Sequence, residues 1–128
     1  MKSAIDACHH VAVAVRDAAA ARAFYGETLG LEELARPAGA EKFPGAWYRL
    51  GSSELHVFEQ PDFQPHAGAI GPHIALHTAD FDATVQQLRG RGCDFTFGPG
   101  RGPDGIARVI VRDPTGNVVE ITDAALRC

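Results

Sequence analysis

Four residues of this 128-residue chain are of the types that hold a catalytic divalent metal: His10, His56, His73 and Glu120. Neutral imidazole nitrogens with one carboxylate suit Zn, Ni, Fe(II), Mn or Co. Three His and one Glu leave open positions on a five- or six-coordinate ion for water or substrate. Any one of these histidines, taken alone, reads first as a solvated or hydrogen-bonded strand residue. The case for a shared site rests on an internal repeat. The segment His10-Val-Ala-Val-Ala-Val-Arg-Asp17 parallels His73-Ile-Ala-Leu-His-Thr-Ala-Asp80, 63 residues on. His56 parallels Glu120, 64 residues on. Four scattered positions thereby become two corresponding pairs, one in each half of the chain.

The elements that must position them follow from the same repeat. Each copy opens with a strand. Side chains alternate faces along a strand, so His10, Ala12 and Ala14 share one face and Val11, Val13 and Val15 the other. In the second copy His73, Ala75 and His77 share the ligand face, with Ile74 and Leu76 toward the core. A helical pattern follows each strand. Ala21, Phe24, Tyr25 and Leu29 precede a stop at Gly30, and Phe81, Val85 and Leu88 precede a stop at Gly92. Asp17 is the expected first N-cap, and Asp80 or Asp82 the second. Short strands near 31–36 and 93–97 come next. Hairpins then follow at 46–50 with 54–59 and at 107–112 with 118–122. The first is joined by Gly51-Ser52-Ser53 and the second by Asp113-Pro114-Thr115-Gly116-Asn117. Each half reads β-α-β-β-β: module one at about 8–61, a linker at about 62–70 and module two at about 71–123, in one domain spanning 1–128. The stretches 37–45, 60–72 and 98–105 are rich in Gly and Pro, and 98–105 is expected to be a mobile surface loop with no regular element.

Other residues near these positions have ordinary readings beside functional ones. His77 lies on the ligand face and is a candidate for substrate binding. Trp47 and Phe58 are candidates to line a substrate pocket, with Phe43 beside them, although strand aromatics commonly pack in cores. Arg101, in the expected loop, is a candidate for an anionic substrate group, or else a solvated side chain. Alternation puts His9 opposite His10, which suggests a structural role. His66 reads as solvated linker. Cys8 shares the parity of His10, but a small buried residue is the simpler reading. Glu54 and Glu59 flank His56 and read as surface or rim groups.

Bulk properties restrict the function classes. Formal net charge is −4, from 12 basic and 16 acidic residues, and the sequence pI is about 5.8. Lysine occurs only at Lys2 and Lys42, so no basic cluster suits a nucleic-acid backbone. No apolar run approaches the roughly 20 residues of a membrane span. The N-terminal segment has no apolar core of the secretory kind. Cys8, Cys93 and Cys128 form no CxxC pair, and an odd count argues against a disulfide scaffold. The expected compartment is the reducing cytoplasm.

The segments HHVAVAVRD, AFYGETLGL, YRLGSSELHVFEQ, GPHIALHTADFD and VRDPTGNVVEITD resemble the vicinal oxygen chelate superfamily, also called the glyoxalase/bleomycin-resistance/dioxygenase family. The resemblance runs from about residue 8 to 123. It implies an α+β fold of two tandem βαβββ modules whose curved mixed sheets surround a cavity. Metal ligands lie on the first and last strands of each module, which by position are His10, His56, His73 and Glu120. The resemblance also implies a homodimer, in some members with the site completed across the dimer interface, and a small-molecule substrate. The implied chemistry is that of a glyoxalase-like lyase or isomerase: a divalent metal chelates substrate oxygens and stabilises an enediolate or oxyanion. Glu120 then doubles as catalytic base. Two alternatives accompany this reading. One is a non-catalytic, bleomycin-resistance-like binding protein, in which such ligands tend to be lost. The other is an extradiol dioxygenase, whose acid–base His and Tyr meet Phe58 and Ile110 here. His56 stands where glyoxalase I usually carries Glu and where epimerases tend to carry Gln. Ala12 stands where fosfomycin-modifying thiol transferases carry Thr, and their C-terminal Arg has no clear counterpart.

Overall fold

Alternation of valine with small or polar residues builds the first sheet. The computed structural model describes residues 2–68 and 71–127, and the chain divides into two compact units, Met1–Phe63 and Gln64–Cys128. In the first unit the strands are β1 (His10–Val15), β2 (Glu33–Leu34), β3 (Gly45–Leu50) and β4 (Ser53–Glu59). They form one open mixed sheet of order β1-β4-β3-β2, with β1 parallel to β4. Val13, Val15, Ala46, Tyr48, Leu55 and Val57 form its buried face. Against that face lies α1 (Ala18–Arg22), which continues as a π-helical segment over Ala23–Thr28. Ala21, Phe24 and Tyr25 are the buried residues of this helical stretch. The helix starts where it does because two free N–H groups find carboxylates. The Asp17 side chain accepts from Ala20 N–H, and Glu59 accepts from Ala18 N–H. Glu59 is therefore a helix-capping group and not a rim residue. Gly30, at φ +73°, ends the helical stretch.

The second unit repeats the plan with β5 (His73–His77), α2 (Phe81–Gly90), β6 (Phe97–Arg101), β7 (Ala107–Arg112) and β8 (Val118–Thr122). The sheet order is β5-β8-β7-β6, with β5 parallel to β8. Asp80, not Asp82, is the N-cap, accepting from Ala83 N–H. Phe81, Val85 and Leu88 are buried along one helix stripe. Val109, Val111, Val119 and Ile121 supply the buried sheet face. Both units are βαβββ modules with four-stranded mixed sheets, the α+β architecture implied by the repeat. No helix among the described residues is long and apolar enough to cross a membrane.

Two strands differ from the sequence expectation. The segment expected over 31–36 pairs only at Glu33 and Leu34, against Tyr48 and Trp47. The strand expected at 93–97 starts at Phe97, and the supposed irregular loop at 98–105 supplies most of it. Gly98 and Pro99, joined by a cis peptide bond, fall within a shift of register between Phe97 and Gly100, after which Arg101 pairs with Ala107. An edge strand has a side free of ladder partners, so a bulge there accommodates Pro and Gly that a central strand would reject. Of the cysteines, Cys8 is exposed rather than buried, and Cys128 lies outside the described residues.

Candidate functional site

The expected ligands occupy equivalent places in the two sheets. In the first unit Ala12 lies directly across from His56, with His10 two residues back along β1. In the second, Ala75 lies across from Glu120, with His73 two residues back along β5. Cross-strand partners in register share a sheet face. Each unit therefore sets two candidate ligands on a diagonal, on the face away from its helix, beside an alanine that leaves room. His77 lies across from Thr122 and so shares the face of Glu120. Phe58 shares the face of His56, across from Ala14, and is 43% exposed. Arg101 is placed differently. It pairs with Ala107, on the face opposite Glu120, and its guanidinium is held by Asp123 at 3.1 Å and by the Gly105 carbonyl.

In the first unit the pairing becomes direct ring contact. Trp47 sits across from His56 on β3 and stacks on it, with centroids 3.8 Å apart and planes within 2°. His10 stacks on the other side at 4.1 Å and 14°. The His56 imidazole is thus the middle of a three-ring stack. Its Nε2 lies 2.8 Å from Glu54 Oε1. Glu54 is across from His10 and two residues before His56, which puts all three on one face. The hydrogen bond from His56 holds the Glu54 carboxyl below its ordinary value, and partial desolvation opposes that shift. His9 Nδ1 lies 3.0 Å from His10 Nδ1, one nitrogen donating and the other accepting.

Two of these neighbours differ from the sequence reading. Glu54 is not a rim group, and its signal was available in its parity with His56. His9 does not turn away from His10, because β1 begins at His10 and strand alternation does not extend back to His9. Phe43 and Phe58, weighed as pocket-lining or core residues, are both exposed, so neither packs in a core.

In the second unit His73 Nδ1 lies 2.9 Å from the Gly71 carbonyl. A carbonyl only accepts, so Nδ1 carries a proton, and in the neutral ring Nε2 then keeps its lone pair. Glu120 is half-buried on the middle of β8, and the turn at Asp113 fixes that strand's register. The buried Asp113 carboxylate accepts from the N–H groups of Thr115, Gly116 and Asn117, and from the Asn117 side-chain amide.

Among the described residues no three His, Cys, Asp or Glu side chains are gathered to hold a metal ion as they stand. The donor set nonetheless has the chemistry a divalent metal requires. Two of its imidazoles, His56 and His73, have one nitrogen engaged by an acceptor, so that in the neutral ring the other nitrogen offers its lone pair.

Residues 7–121 match the profile of the Glyoxalase/Bleomycin resistance protein/Dioxygenase superfamily. Among solved structures, one assigned to the glyoxalase family, from Bacillus anthracis, is 35% identical with a TM-score of 0.81, covering 95% of this chain and 98% of that one. A lactoylglutathione lyase from Agrobacterium tumefaciens is 25% identical with a TM-score of 0.70, over 94% of this chain and 95% of that one. A glyoxalase/dioxygenase from Nostoc punctiforme, at 24% identity and a TM-score of 0.75 over 95% and 97% of the two chains, shares the fold. No functionally curated protein matches the chain. The 35% identity and the nearly full-length profile match, on a chain of two βαβββ modules, establish that it belongs to the glyoxalase/bleomycin resistance protein/dioxygenase superfamily.

Proposed function

We propose that this protein is a metal-dependent lyase or isomerase of the glyoxalase type, acting on a small oxygen-rich substrate. The observation that carries the reading is the matched diagonal of candidate ligands in the two sheets, His10 with His56 and His73 with Glu120, each beside a space-making alanine. His10, His56, His73 and Glu120 would hold the ion, with Zn, Ni, Fe(II), Mn and Co all compatible with that donor set. The chemistry a bound divalent ion supplies is stabilisation of negative charge developing on neighbouring substrate oxygens. Glu120 serves as the base that takes and returns a proton on the substrate carbon. His77, on the same face as Glu120, orients polar substrate groups, and Trp47 with Phe58 offers apolar contact on the face of His56. Arg101 is the candidate for an anionic substrate group, reached by leaving Asp123. A cytoplasmic homodimer belongs to the same reading. The lactoylglutathione lyase among the similar structures supports this class of reaction.

The test is turnover by protein loaded separately with Ni, Zn, Mn or Fe(II), using hemithioacetals, acyl-CoA epimers, catechols and fosfomycin with a thiol. Metal-dependent conversion of a hemithioacetal or an epimer is expected, with loss in Glu120→Gln. Tight binding of a small molecule by metal-free protein, without turnover in any metal form, would favour a sequestering role instead. Catechol cleavage by the Fe(II) form would favour the dioxygenase alternative.

A further inference from the structure

We infer that Glu54 is a positioning residue that commits His56 to ligate through Nδ1, whereas His73 ligates through Nε2. The inference rests on the metal reading above for its consequence, and on the first unit's own geometry for its premise. Three contacts fix the His56 ring. Trp47 and His10 close its two faces, at 3.8 and 4.1 Å between centroids. Glu54 Oε1 takes its edge, 2.8 Å from Nε2. The side chain of His56 is only 14% exposed, so few alternatives exist for that edge. A carboxylate is purely an acceptor, so the proton of a neutral His56 must sit on Nε2 and the lone pair on Nδ1. A 180° flip of the ring would put Cε1 where Nε2 stands, break the Glu54 bond and turn the ring between two stacked neighbours.

The second unit makes the opposite choice. His73 gives its Nδ1 proton to the Gly71 carbonyl, which leaves Nε2 as the donor. Val118 stands at the position equivalent to Glu54, so β8 places no carboxylate directly across from that ring. The two halves therefore share ligand positions but not ligand atoms. Nδ1 is nearer the backbone than Nε2, so a donor at Nδ1 holds an ion closer to its own strand. Carboxylate partners of metal-bound histidines hold the tautomer and orientation of the ring they touch.

The experiment uses long-range 1H–15N correlation spectra of the full chain at about pH 8, where an unperturbed imidazole is neutral. Spectra are taken metal-free and with one equivalent of zinc, for wild type, Glu54→Gln and Glu54→Ala. Metal-free wild type should show His56 protonated at Nε2 and His73 at Nδ1. Zinc should then shift Nδ1 of His56 and Nε2 of His73. Glu54→Ala should scramble the His56 tautomer, leave His73 as it was, and weaken zinc binding, read by chelator competition, about 10- to 100-fold. Glu54→Gln keeps an oxygen that accepts, so its tautomer should hold and its affinity should fall less. Unchanged chemical-shift dispersion of the core separates these effects from misfolding. A His56 proton on Nδ1 in the metal-free protein overturns the inference whatever zinc does. An unchanged tautomer and affinity in Glu54→Ala overturns it as well. A correct tautomer in wild type that binds no zinc overturns the ligand assignment together with the metal reading, and leaves only the hydrogen bond.

Discussion

Removing the Asp113 carboxylate should destabilise the protein by about 3 kcal/mol. Asp113 is 4% exposed and stands at the turn that joins β7 to β8. Its Oδ1 accepts three backbone N–H groups, from Thr115, Gly116 and Asn117, each at 2.9 Å. Its Oδ2 accepts the Asn117 side-chain amide, also at 2.9 Å. A hydrogen bond to a charged group contributes roughly 1.5–3 kcal/mol, so four independent ones would exceed the whole stability of many domains. They are not independent, because three share one oxygen. Relief of carboxylate burial offsets part of the loss, and Gly116 and Asn117 are only half-buried, so water can recover their N–H groups. The buried Thr115 is the position where an orphaned donor costs most. About 3 kcal/mol remains for Asp113→Ala, and about half of that for Asp113→Asn, which keeps an accepting oxygen but sets two amides against each other. Urea titration should show a midpoint lower by about 2 M for the alanine variant, for a slope near 1.5 kcal/mol/M that does not change. A loss below about 1 kcal/mol for Asp113→Ala would mean that the turn holds its shape without the carboxylate.

Gly45 on β3 is a position of close approach, since a Cβ there would lie 2.1 Å from the Val57 carbonyl oxygen. Backbone cannot swing aside as a side chain can, so Gly45→Ala should cost about 3 kcal/mol or more in urea titration, and tolerance within about 1 kcal/mol would contradict the tight β3–β4 pairing. Asp123 and Asp104 are held below their ordinary pKa of 3.8, the first chiefly by the Ala107 N–H and then by Arg101, the second chiefly by the Ile106 N–H and then by Arg108. A depressed carboxyl stabilises the fold above its unfolded pKa and loses that contribution as pH falls through the folded value. Stability should therefore drop below about pH 4, and the drop should shrink in Asp123→Asn; an acid transition identical to wild type would exclude Asp123 as a contributor.

The strand register was legible because the repeat and the two-residue period reinforce one another. His10 and His73 begin equivalent strands, and the predicted sharing of a face with Ala12 and Ala75 follows from alternation alone. The turn at Asp113 was legible from local chemistry, since Asp, Pro, Gly and Asn each favour turn geometry for their own reasons. The edge strand β6 was not. Gly98, Pro99 and Gly100 argue against a strand by propensity, and only the tertiary partner β7, absorbing a bulge, makes one. The short β2 is likewise a tertiary pairing, of Glu33 and Leu34 with Tyr48 and Trp47. The stack of Trp47, His56 and His10 was half legible. Their types and strand positions were readable, but cross-strand contact depends on which residues are in register, and a single sequence does not state that. The place of Glu54 was legible, because a spacing of two residues from His56 puts both on one face of β4.

The proposed role of His10, His56, His73 and Glu120 is to serve one divalent ion from two equivalent halves. Equilibrium dialysis with zinc on wild type and on the single variants His10→Ala, His56→Ala, His73→Ala and Glu120→Gln tests it most directly. One zinc per chain is expected for wild type, with a marked loss of affinity in all four variants, two from each half. Full affinity retained in both His73→Ala and Glu120→Gln would contradict it, because the second half would then contribute no ligand.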